Sequence, residues 1–129
     1  MVKIYGIEPD PSSAPTRIKK VGERSEKLVW DLLDKVDMPG AKAVRGFTGF
    51  SVDWQASSEA DFVVWTTDGV FVLEVKTQDD RNRKRGWDQA SDNAHGLKNK
   101  LSRVIGCDVA DKSLMPSVGW GVIYTEHLG

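Results

Sequence analysis

Asp61, Glu74 and Lys76 are the residues whose types and spacing could do chemistry together in this chain. They lie in the stretch Glu59 to Gln78, EADFVVWTTDGVFVLEVKTQ, where two strand patterns meet at Asp68-Gly69, a dipeptide that favours a two-residue type I′ turn. With that pair as the loop, Thr67 is expected opposite Val70, Val63 opposite Glu74, and Asp61 opposite Lys76. Side chains alternate across a strand, so the three polar groups are predicted on one face of the hairpin. Phe62, Val64, Phe71, Leu73 and Val75 take the other. Two carboxylates and an amine within about 5–7 Å of one another form a layout for holding a divalent metal ion.

The elements that must position this trio sharpen its meaning. Both faces of the hairpin are rich in Val, Phe, Leu and Trp, the pattern of a central strand pair covered on both sides. A charge there costs several kcal/mol unless it is paired or binds an ion. The competing structural reading is a cross-strand ion network of Asp61, Glu74 and Lys76, or a register in which they reach water.

Around the hairpin the chain reads as helix, strand, hairpin, helix, strand. Val2 to Tyr5 is strand-like, and Pro9, Pro11, Ser12, Ser13 and Pro15 follow, so residues 1–20 are read as an N-terminal arm and 21–129 as the domain. From Val21 to Val36 a helical stripe of Leu28, Val29, Leu32, Leu33 and Val36 is predicted, ended by Met38-Pro39-Gly40. Residues 41–47 are a candidate strand, followed by a Gly- and Ser-containing loop to Ser58. Residues 79–86 are polar and basic and read as a loop. A second helix is expected from Asp88 to Val104, with Ala90, Ala94, Leu97 and Leu101 on one side and Gly106 as its stop. Residues 118–124 close as a strand. Glu26 lies in line with Val29 and Leu33, so an acid continues the core-facing stripe. A metal-centred site is one reason for that, and attraction to the positive helix end, about 0.3–1 kcal/mol, is another.

Bulk properties frame these features. A chain of 129 residues with 40% hydrophobic and 29% charged residues is expected to form one globular domain with a real core. It has neither an apolar run of membrane-spanning length nor a secretory signal pattern, and the single Cys107 allows no internal disulfide, so a cytoplasmic location without membrane contact is expected. The net charge of −1 gives no global attraction to nucleic acid. A local attraction exists. Between residues 81 and 103, Arg81, Arg83, Lys84, Arg85, Lys98, Lys100 and Arg103 stand against Asp88 and Asp92, a formal +5. Arg81, Arg83, Lys84 and Arg85 are therefore candidate nucleic-acid contacts, with Trp87 as a stacking or packing ring. A solvated basic loop is the alternative. His95 and His127 have no metal-ligand spacing.

The combined pattern resembles the PD-(D/E)xK superfamily, with its restriction-endonuclease-like fold, and more narrowly the nuclease-related domain, NERD, found at the N-terminus of some bacterial superfamily I helicases. The likeness is carried by Ser25 to Leu33 (SEKLVWDLL), Glu59 to Val64 (EADFVV), Gly69 to Lys76 (GVFVLEVK), Trp87 to Ala90 with Asn93 and Leu97-Lys98, and Val118 to Ile123 (VGWGVI). The link from Thr77 to Gly86 is shorter than is usual in the family, and Gly-Trp-Asp rather than Asn-Pro precedes Gln89.

The resemblance implies an α/β core, a mixed sheet of about four strands flanked by helices in the order α-β-β-β-α-β. It also implies Mg²⁺-dependent DNA endonuclease activity, with Mn²⁺ as a substitute, Asp61, Glu74, the Val75 carbonyl and Glu26 as metal ligands, and Glu23 in reserve. Lys76 would orient or deprotonate the attacking water or steady the pentavalent phosphate, and Gln89 would position water or phosphate. DNA is the implied partner, with RNA open. A helicase domain or partner, or a homodimer for cutting both strands, would complete the machinery. The rival reading is an inactive nuclease-fold module that binds nucleic acid or regulates a helicase.

Overall fold

The computed structural model describes residues 2–52, 55–77 and 80–125, with side chains described except at 49, 51–52, 55–58 and 80–84. Strand β1 (Lys3–Tyr5) leads through a 3-10 turn at Pro11–Ser13 to helix α1 (Arg17–Lys35). Strands β2 (Lys42–Val52), β3 (Gln55–Thr66) and β4 (Gly69–Thr77) follow, then helix α2 (Asp80–Ile105) and strand β5 (Val118–Thr125). The sheet runs β1-β2-β3-β4-β5, with a parallel pair at each edge and antiparallel pairing in the centre. The architecture is the predicted α/β core with one additional edge strand.

The two helices cover opposite faces. On one, Val29 and Leu33 of α1 pack with Ala43, Phe62, Val64 and Val75. On the other, Ala94 and Leu97 of α2 pack with Val63, Val70 and Val72. Phe62 and Val63 are both fully buried and enter different cores, which fixes the strand that carries Asp61 against rotation. Burial of one such side chain contributes about 1.5–3 kcal/mol.

Several boundaries differ from the sequence reading, each for a local reason. Helix α1 starts earlier because Thr16 caps it, its hydroxyl accepting from the Lys19 amide at 3.1 Å. Its buried stripe is Ser25, Val29 and Leu33, while Leu28 and Leu32 are exposed. The expected loop up to Ser58 is instead the tip of a long β2–β3 hairpin, paired from Lys42↔Trp65 to Val52↔Gln55 with a register shift between Phe47 and Phe50. From Asp80 on, the basic segment is not a loop either, since α2 begins there, and Asp79 lies outside the described residues. Gly106 stops that helix as expected, with φ +79° and its amide donating to Ser102 at 2.8 Å.

The central hairpin turns one step earlier than predicted. Thr66 pairs with Gly69 and Phe62 with Leu73, so the turn residues are Thr67-Asp68. A type I′ turn on Asp68-Gly69 would require positive φ at Asp68, and no described non-glycine residue has one. Instead the Thr66 hydroxyl accepts from the Asp68 amide at 3.1 Å, and Gly69 follows the turn at φ +150°. Any Cβ at Gly69 would stand 2.7 Å from the Ser117 carbonyl oxygen. Pairing thus shifts by two residues, a change that preserves which side chains share a face.

Candidate active site

The shifted register brings the two acids closer together than the sequence reading placed them. Continued one step beyond Phe62↔Leu73, it sets Asp61 opposite Glu74 rather than Lys76. At this point Asp61 takes over a ladder bond: its carboxylate accepts the Val75 amide at 2.9 Å. In an extended strand a residue's N–H and C=O project to the same edge, so the Val75 carbonyl is directed to this side as well. The Val75 backbone is therefore presented to Asp61.

Glu74 is 4% exposed. Asn93 of α2 donates to its carboxylate at 2.6 Å and also reaches the Glu59 carbonyl at 3.4 Å. Burial, then the charge of Asp61 and a hydrogen bond between the two carboxyl groups, push the Glu74 carboxyl up to about 8. Asn93 and Lys76 oppose that rise. Near neutrality the pair therefore shares a proton, with Lys76 as the nearby cation that favours its ionised form.

Lys76 follows on the same face of β4, opposite Tyr124 in β5. Helix α2 crosses here at Gly86, where an added Cβ would come within 3.0 Å of Lys76 Cγ and 3.1 Å of Val122 Cγ1. Gln89 lies one turn beyond Gly86 and one turn before Asn93, so it sits between the contacts to Lys76 and to Glu74. Its side-chain oxygen is buried with no hydrogen-bond partner among the described residues. A buried carbonyl without a donor is costly, and a bound water or ligand would satisfy it.

Glu26 stands apart from this set. It projects from α1, on the opposite face of the sheet. Arg45 of β2 donates to its carboxylate at 3.3 Å, to Glu23 at 2.7 Å and to the Ile7 carbonyl at 2.8 Å. Burial and the Asp61 charge raise the Glu26 carboxyl, and Arg45 pulls it back. Glu26 thus feels Asp61 across the sheet, but its charge is already balanced. Among the described residues no three acidic, His or Cys side chains converge to hold a metal ion. The expected three-acid cluster is not assembled, because the guanidinium claims the third acid. Glu23, the reserve acid, is claimed too.

The remaining expectations divide. Arg85 is exposed at the start of α2, and the side chains of Arg81, Arg83 and Lys84, like His127, lie outside the described residues. Trp87 is 53% exposed and meets Trp120 edge to face at 6.1 Å, so it is partly a packing ring. Two contributors were missed, Arg45 and the acid-holding role of Asn93. An arginine inside an apolar strand pattern was the available signal for the first. For the second it was an asparagine on the Ala90–Ala94–Leu97 face of a helix.

A family model described as nuclease-related domain matches residues 21–114, from within α1 through α2 to the loop before β5. The chain belongs to the nuclease-related domain family. Comparison with curated proteins and with solved structures returned no match. NERD membership carries a nuclease-related function and nucleic-acid interaction in general. No helix among the described residues is long and apolar enough to cross a membrane.

Proposed function

We propose that this NERD chain is a Mg²⁺-dependent DNA endonuclease that hydrolyses phosphodiester bonds, with Mn²⁺ able to substitute and RNA open as a substrate. The observation that carries the reading is the opposed, proton-sharing Asp61–Glu74 pair, with Glu74 buried and Lys76 two residues along the same strand. Mg²⁺ characteristically takes one or two carboxylates and keeps its remaining positions for water and phosphate, so two acids and the Val75 carbonyl suit it without a third acid. The ion would supply a nucleophilic hydroxide and charge neutralisation at the phosphate.

The protein's own groups divide the rest of the work. Asn93 holds Glu74 in place. Asp61, tied to the Val75 amide, faces the gap where the β3–β4 ladder ends. Lys76 is placed to carry an ammonium to the phosphate oxygens as negative charge develops, or to orient the attacking water. Gln89 offers an unpaired buried acceptor to that water or to the sugar–phosphate chain. Glu26, balanced by Arg45, acts as an electrostatic neighbour of Asp61. Basic residues at the start of α2 contribute phosphate contacts, and a helicase partner or second copy would serve duplex cleavage.

Nicking of supercoiled plasmid tests the reading. The wild-type protein is expected to nick with Mg²⁺ or Mn²⁺ and not with EDTA, and Asp61→Asn and Lys76→Met to lose at least about 100-fold in rate. Salt-sensitive DNA binding that persists in these variants, with no cleavage by any of them or by the wild type, would select the inactive binding module instead.

A further inference from the structure

A groove runs beside the site between the first turns of α1 and the end of β4. It has a cavity volume of about 460 Å³ and is lined by Arg17, Ile18, Val21, Gly22 and Ser25 of the helix and by Val75, Lys76 and Thr77 of the strand. Among the described residues its lining includes Arg17 and Lys76 and no acid, although the Lys76 side chain sets out on the α2 face, against Gly86. A neighbouring groove, which Gly22 also lines, has four acids, Glu8, Asp10, Glu23 and Glu26, against the two cations Lys19 and Arg45. The charge contrast marks the first as a path for a polyanion and the second as unsuited to one.

Gly22 separates the two grooves, and its presence needs a reason. It is exposed in the interior of α1 with no positive φ, and an added Cβ would meet nothing within 4 Å. Glycine is the poorest helix former after proline, so an interior glycine ordinarily signals close packing. Here nothing packs against it. What the missing side chain provides is a notch in the helix wall, level with the groove that ends at Lys76.

We propose that this groove seats one strand of the nucleic acid. Arg17 holds a phosphate, Ile18 and Val21 line the sugars, and the notch at Gly22 admits the backbone on its way to the end of β4. The volume suits one or two nucleotides of a single strand rather than the breadth of a duplex. Seating a strand here deepens the nuclease reading and rests on it. It adds a contact surface on α1, separate from the basic start of α2.

The test uses full-length protein and a fluorescein-labelled single-stranded oligonucleotide, followed by anisotropy over a range of salt in EDTA. Gly22→Phe should weaken binding at least about tenfold, while its melting temperature stays at or above that of the wild type. Gly22→Ala, which adds helix propensity with little bulk, should bind nearly as the wild type does. Arg17→Gln should bind several-fold more weakly and lower the slope of log K against log salt by about 0.7, the loss of one phosphate contact on a single strand. Wild-type-like binding by both Gly22→Phe and Arg17→Gln, in a protein that does bind or cleave nucleic acid, overturns the groove and leaves the nuclease reading intact. Absence of binding and cleavage by the wild type overturns both.

Discussion

Glu74 is the residue on which the chemistry turns, because it is an acid that the fold prefers to keep protonated. Its carboxyl rises from 4.5 to about 8 through burial and the Asp61 charge. Below about pH 4.5 the folded and unfolded chains both hold the proton, between 4.5 and 8 only the folded chain holds it, and above 8 neither does. The group therefore stabilises the fold fully at low pH, and its contribution is lost as pH rises through about 8. Glu74→Gln removes this titration while keeping an acceptor for Asn93. Urea unfolding from pH 5 to 8.5 without metal should show wild-type stability declining relative to the variant. Parallel profiles would mean that Glu74 is ionised in the folded protein. Arg45 shows the opposite behaviour. It spends three donors on two acids and a carbonyl, so Glu26 is satisfied where Glu74 is not.

At the scale of elements, the site depends on how closely α2 can lie on β4 and β5. Gly86 is the contact point, and a Gly86→Val chain would press on Lys76 and on the stiffer Val122. Such overpacking is expected to cost about 1–3 kcal/mol and to displace the helix carrying Gln89 and Asn93. Denaturant titration should show that loss together with reduced nicking, and an unchanged midpoint would contradict the close approach. The same elements show how far the sequence could be read. Alternation alone put Asp61, Glu74 and Lys76 on one face, and that survived a two-residue register error because the strand period is two. The error arose at Asp68-Gly69, where local preference pointed to one turn while the Thr66 hydroxyl and the crowding by Ser117 favour another. The helix stripe was read too wide because Leu28 and Leu32 share the period of Val29 and Leu33 but face outwards. Arg45 was beyond reach, since its partners come from α1 and from Ile7, brought together only by the sheet.

For the whole molecule, a net charge of −1 conceals a division of labour. Asp61 and Glu74 sit where the β3–β4 ladder ends, while Arg17, Lys19 and Lys20 lie in the first turns of α1. One helix layer supplies Asn93 and Gln89, and the other carries Glu26 on the opposite face, held by Arg45. β1 adds an edge strand ahead of the family-matched region, with Lys3 paired to Lys42 and Val2 buried.

The central claim is that Asp61 and Glu74 together form a seat for one divalent cation, and calorimetric titration of Mn²⁺ at pH 7 in buffers of different ionisation enthalpy tests it directly. A cation entering the seat must expel the shared proton, so binding should release close to one proton per ion in the wild type. Release should vanish in Glu74→Gln, and binding itself should vanish in Asp61→Asn. Mn²⁺ binding without proton release, or binding of equal strength in all three proteins, would contradict it.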